Sequence, residues 1–119
     1  MYKPPSLGQF ELVVLSAVQA LGDKAYGRAI HAKVCELLSD EDVNMGGVYV
    51  TLERLTEKDM LYAWMADPTP ERGGRRKRYY RIEAEGALAL QQSLDTSKRI
   101  YEALGKSWRL GKWRPHRIR

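Results

Sequence analysis

The chain has 119 residues, with 20 Lys and Arg against 15 Asp and Glu, for a formal net charge of +5. Hydrophobic residues make up 44% and charged residues 29%, a composition that excludes a disordered or low-complexity chain and suits one folded soluble domain with an appended helix. No apolar run approaches the roughly 20 residues that span a bilayer, and Met1-Tyr2-Lys3-Pro4-Pro5 has no apolar signal region, so neither membrane insertion nor a signal peptide is expected. The lone Cys35 excludes an internal disulfide and fits a cytoplasmic protein, and a core this small gains from dimerisation.

The first predicted element is a helix over 7–21. Ser6 with Gln9 three residues on reads as a capping box behind two prolines. Phe10, Leu12, Val13, Val14, Leu15, Ala17 and Val18 lie nearly all round it, so part of its cover is expected from a second subunit, with Phe10 and Val14 at the interface. After Gly22-Asp23, the spacing of Tyr26, Ile30, Val34, Leu37 and Leu38 marks one face of a second helix. Ser39-Asp40-Glu41-Asp42 is a polar loop. Asn44 is the expected N-cap of a third helix reaching about Lys58, with Val48, Leu52 and Leu55 inward and Gly47, Val50, Thr51, Arg54 and Lys58 on the opposite face; Tyr49 falls between the two.

Residues 61–67 alternate as a strand, and Pro68, Pro70, Gly73 and Gly74 make a turn-rich connection to a second strand over 77–82. Glu83 or Ala84 opens a last helix in which Ala87, Leu90, Leu94, Ser97, Tyr101, Leu104 and Trp108 follow alternating spacings of three and four, a heptad seam suited to dimerisation. Gly105 is expected to fray its end, and the tail beyond Gly111 has no periodicity and is expected to be mobile.

The charge is concentrated. Residues 1–70 sum to −4, 71–81 to +5, 82–97 to −3 and 98–119 to +7. Three helices, a hairpin with a basic tip and a long helix form the order of a winged helix-turn-helix, an α+β, mainly helical fold. Its third helix enters a DNA major groove while Arg72, Arg75, Arg76, Lys77 and Arg78 reach phosphates or a minor groove. The expected division is a DNA-binding domain over 1–82, a dimerisation helix over 83–110 and a basic tail over 111–119. Two glycines, Gly46 and Gly47, in the first turn of an exposed helix cost up to about 1 kcal/mol each relative to alanine. Close approach to DNA is one reason for them, and a loose helix start is the other.

These residues resemble the PadR-like transcriptional regulators over about 7–90. The resemblance rests on Leu7-Gly8-Gln9-Phe10-Glu11, Ala25-Tyr26-Gly27, the run from Gly47 to Lys58, and most specifically the run from Pro68 to Ile82 followed by Glu85-Gly86. It implies a homodimeric winged helix that binds operator DNA, typically as a repressor. Some family members with a short C-terminus release DNA on binding small aromatic or drug-like compounds. The residues assigned to DNA are Tyr26, Asn44, Gly47, Tyr49, Thr51, Arg54, Lys58, Arg75, Arg76 and Lys77. Thr51 and Arg54 are the base-contact candidates; Tyr49, Lys58, Arg75, Arg76 and Lys77 are the phosphate candidates. The dimer set is Phe10, Val14, Leu90, Leu94, Tyr101, Leu104 and Trp108, with Trp108 either a dimer-core aromatic or the flank of a ligand pocket. Two departures from the family are Asp59, where a helix-stopping glycine is usual, and Glu83, where a threonine or serine cap is usual.

His31 and Cys35 have the four-residue spacing of two metal ligands, but only His116 remains to complete a nitrogen or sulfur set. A buried cysteine and a surface histidine are expected instead, and no metal or cofactor. Nucleotide-binding glycine loops and a Ser/His/Asp set are absent, so no catalytic activity is read. Trp64 is expected to pack on the hairpin face. The alternative from another class is a dimeric adaptor that holds a protein partner through its last helix and tail, without operator recognition.

Overall fold

Helix α1 (Gln9–Leu21) starts where Glu11 reaches back to accept the Gly8 N–H at 3.0 Å, so the cap is Gly8 with Glu11 and not Ser6 with Gln9. Glu11 also receives Lys58 Nζ at 2.8 Å, which holds the carboxylate at the positive end of the helix. A computed structural model of the protein describes residues 3–67 and 76–109, with side chains as far as Gly105. Arg75 and the basic tail lie outside the described residues, as does the side chain of Trp108.

Val14, Leu15, Ala17 and Val18 of α1 are at most 2% exposed. Their cover comes from this same chain: α2 (Gly27–Leu38), α3 (Met45–Glu57), β2 (Arg78–Ile82) and α4 (Ala84–Arg109) all touch α1. Val14 therefore belongs to the core of the monomer and does not reach a partner surface, contrary to expectation. Phe10 is half-buried and packs on the edge of that core. Gly22 ends α1 in a left-handed conformation, φ 56°, and a short 3-10 turn over Gly22–Lys24 leads to α2.

Ile30 and Val34 carry the inner face of α2, and Leu37 and Leu38, expected there too, are 49% and 38% exposed because the helix ends over the polar loop. Asn44 caps α3 as expected, its Oδ1 accepting the Gly47 N–H at 3.0 Å. Asp59 stops the chain after α3 at φ 60°, a left-handed position for which aspartate is one of the better non-glycine residues.

Strands β1 (Leu61–Met65) and β2 pair antiparallel, from Leu61 opposite Ile82 to Met65 opposite Arg78. A one-residue bridge adds Tyr26 beside Tyr79, fixed by the Tyr80 N–H to Ala25 O bond of 2.8 Å. The period of two sends Leu61, Ala63, Tyr80 and Ile82 toward the core and Tyr62, Trp64, Tyr79 and Arg81 to the outer face. Glu83 precedes α4 and accepts the Ala87 N–H, while its own N–H bonds Met60 O at 3.0 Å. Gly86 lies so close to the Met60 carbonyl that a side chain there would strike it, which docks the first turn of α4 on the domain. Ala89 and Leu90 are buried against the same chain; beyond them Leu94, Ile100, Tyr101 and Leu104 are about half exposed. Gly105 does not end the helix, which continues to Arg109.

Candidate nucleic-acid interface

The inward side of α3 is wider than the aliphatic pattern suggested. Val48, Leu52 and Leu55 are fully buried, and Thr51 joins them at 6% exposure. Thr51 stands three residues after Val48 and four before Leu55, which places it among them on a 3.6-residue period. It is therefore removed from the exposed face and from base contact. The outer face carries Gly46, Tyr49, Val50, Glu53, Arg54 and Glu57. Lys58, a phosphate candidate, is committed to Glu11 at 2.8 Å, with its side chain 41% exposed.

That pairing also marks Glu11 chemically. Burial pushes its carboxyl up, but the hydrogen bonds from Lys58 and the Gly8 N–H, with the charges of Lys58 and Arg54, outweigh burial and hold it below the ordinary glutamate value. The group thus ties the start of α1 to the end of α3 and keeps the recognition-type helix in a set orientation.

A second joint connects α3 to the start of α2 and the hairpin. Gly27, the first residue of α2, faces the Tyr49 ring so closely that a Cβ there would sit 2.5 Å from Tyr49 Oη. The neighbouring Tyr26 packs on Tyr79 with ring centroids 5.6 Å apart, and Lys77 Nζ lies 3.8 Å above the Tyr26 ring. Three sequence-selected residues, Tyr26, Tyr49 and Lys77, are thereby brought into one continuous surface, beside the exposed N-terminal half of α3. Arg76 is exposed next to it, its Nε donating to Ala66 O at 3.4 Å. Asn44 sits at the leading end of α3, but its Oδ1 is occupied by the cap.

The outer face of the hairpin carries a ring series of which Trp64 is one member. Trp64 does pack on the hairpin, stacking with Tyr79 at 5.8 Å and with Tyr62 at 5.9 Å, and the Arg81 guanidinium covers Tyr62 and Trp64 at 5.3 and 5.8 Å. The residues Tyr62, Trp64, Tyr79 and Arg81 share parity in paired strands, so register was the missing signal. Such cross-strand contacts stiffen a two-stranded sheet that would otherwise be marginal. On the inner side, burial raises the Tyr80 hydroxyl above its ordinary value against the opposing pull of Arg78.

His31 is not a free surface group. Its Nε2 donates to Val43 O at 2.7 Å and lies 3.6 Å from Cys35 Sγ; since a carbonyl only accepts, Nε2 carries the proton. Cys35 is half-buried rather than buried. The pair anchors the loop that delivers Asn44 to α3. Among the described residues there is no group of three or more metal-ligating side chains, and no helix long and apolar enough to cross a membrane.

Three helices, a bridged hairpin and a following long helix define a winged-helix protein. The sequence model of the transcriptional regulator PadR-like family matches residues 14–92, and the chain belongs to that family. Among solved structures, it is similar to a PadR family transcription regulator from Clostridium difficile R20291, with 23% identity, a TM-score of 0.66, and coverage of 83% of this chain and 97% of that one. A Streptococcus transcriptional regulator aligns at 21% identity and TM-score 0.56 over 82% of this chain and 98% of its own. The protein TA0346 of Thermoplasma acidophilum aligns at 18% identity and TM-score 0.58 over 80% of this chain and 91% of its own. These likenesses concern the fold. Among curated proteins, none matches the chain. The chain is thus a DNA-binding transcription regulator by family.

Proposed function

We propose that the protein is a sequence-specific, homodimeric regulator, acting as a repressor on a pseudo-palindromic operator. Each protomer lays the N-terminal half of α3 in a major groove and its basic hairpin on adjacent backbone or minor groove, and two half-sites lie about one DNA turn apart. The observation that carries this reading is the joint of Tyr49, Gly27, Tyr26 and Lys77, which supports one surface from three separate chain segments. Arg54 supplies a base contact from the exposed face; Tyr49, Arg75, Arg76 and Lys77 supply phosphate contacts. Residues 1–82 form the DNA-binding unit and 83–110 the dimerisation helix, whose exposed Leu94, Tyr101 and Leu104 face the partner. The family resemblance supports release by a small aromatic compound, with Trp108 either a dimer-core aromatic or the flank of its pocket.

Replacing Arg76 and Lys77 together by alanine tests the interface. Each lost phosphate contact lowers the slope of log affinity against log salt by about 0.9, so the double variant is expected to bind all duplexes more weakly with a slope reduced by about 1.8. Unchanged affinity and slope would remove the hairpin from DNA binding. Salt-insensitive capture of a protein without operator protection would favour the adaptor reading.

A further inference from the structure

The exposed face of α3 has an unusual chemistry for a helix that meets DNA. In its first two turns no polar side chain stands foremost. Gly46 has none, and a Cβ there would lie 2.9 Å from Asn44 Oδ1, so a side chain would crowd the cap. At Gly47 a Cβ would meet only Asn44 Cβ at 4.0 Å, so the fold does not demand the glycine, which leaves room on the outer surface. Tyr49 turns its hydroxyl end toward Gly27. The leading side chain is Val50, which is 54% exposed and lies one turn beyond Gly46 on the same stripe.

Charge decides which end of the stripe meets a polyanion. Its C-terminal half holds the exposed Glu53 and Glu57 beside the exposed Arg54, a net negative charge that makes it the less favourable end for phosphates. The N-terminal half has the positive end of the helix, and its Tyr49 abuts Gly27, the residue next to the Tyr26 ring over which Lys77 lies. Val50 is therefore the side chain carried into the groove. Major-groove base edges present hydrogen-bonding atoms, which a valine would desolvate without pairing, except at one apolar group: the 5-methyl of thymine.

Building on the DNA-binding reading above, we infer that Val50 reads a thymine 5-methyl group and is a specificity-determining residue of each half-site. Readout by the first two turns of α3 then depends on a methyl contact, with hydrogen-bonded readout left to Arg54 one turn later.

The test uses the full chain. Duplexes are enriched from a random pool, and each thymine of the enriched half-site is replaced in turn by deoxyuridine, which removes only the methyl group. The wild type is expected to lose about three- to tenfold in affinity at one thymine per half-site. Val50→Ala is expected to bind the parent duplex with a similar loss and to be indifferent to the deoxyuridine exchange, while Val50→Ile keeps the dependence. An enriched duplex with no methyl-dependent thymine, or a dependence that survives in Val50→Ala, overturns the inference and leaves DNA recognition standing. Failure to enrich any duplex overturns both.

Discussion

Helix α1 is apolar nearly all round and α4 carries a single apolar seam, and the chain treats the two in opposite ways. Val14, Leu15, Ala17 and Val18 of α1 are sealed by elements of the same chain, whereas Leu94, Ile100, Tyr101 and Leu104 of α4 are 47–56% exposed. The dividing point on α4 is near Leu90, the last seam residue buried on the domain. An apolar helix is thus not by itself an interface signal. What distinguishes α4 is that its seam runs on past the body that could cover it, and so the two helices carry different work, one holding a monomer together and the other offering a surface.

The comparison is broken most sharply by two truncations. Leu15→Ala is expected to cost about 2–5 kcal/mol of unfolding free energy at every protein concentration, as a cavity in a closed core. Leu94→Ala with Leu104→Ala is expected to leave the domain folded but to shift the monomer–dimer balance, seen by analytical ultracentrifugation, and to make thermal stability less dependent on concentration. Equal, concentration-independent losses in both variants would erase the distinction.

Gly27→Ala is a mid-sized test of a joint that supports function rather than the core. The new methyl group must displace the Tyr49 ring, so DNA affinity is expected to fall about tenfold while the melting temperature changes little. A large loss of stability with intact affinity would contradict it.

The smallest expected effect concerns Glu11, the anchor of α1 on α3. Glu11→Gln is expected to lower stability by about 1 kcal/mol near neutral pH, by weakening the Lys58 pair and the Gly8 cap. Because the folded carboxyl lies below its ordinary value, its contribution is present above the ordinary glutamate range and is lost as pH falls through the folded value. Chemical denaturation of both proteins should therefore converge at low pH; a difference that persists there would assign the effect to packing.

Much of this architecture is legible locally. The Asn44 cap, the helix stop at Asp59, the opening of α4 at Glu83 and the two strands follow from short-range patterns that the tertiary structure does not oppose. The departures come from contacts distant in sequence. The capping role passes from Ser6 to Gly8, whose partner Glu11 is also held by Lys58, 47 residues further on. Thr51 is the exception: its polarity suggests the exposed face, but the local helical period puts it with Val48 and Leu55. Val14 and Leu90 read as outward from sequence, because an apolar helix says that it must be covered but not by what. The joint of Tyr26 with Tyr79 depends on a bridge between segments more than fifty residues apart, which no local pattern encodes.

Equilibrium binding of the full chain to its enriched duplex, against a scrambled duplex of equal composition at the same stated salt, bears most directly on the surface formed by α3, Tyr26 and Lys77. A preference of at least about a thousandfold for the enriched duplex is expected, the lower range for specific over non-specific recognition. Equal affinity for the two duplexes would contradict it.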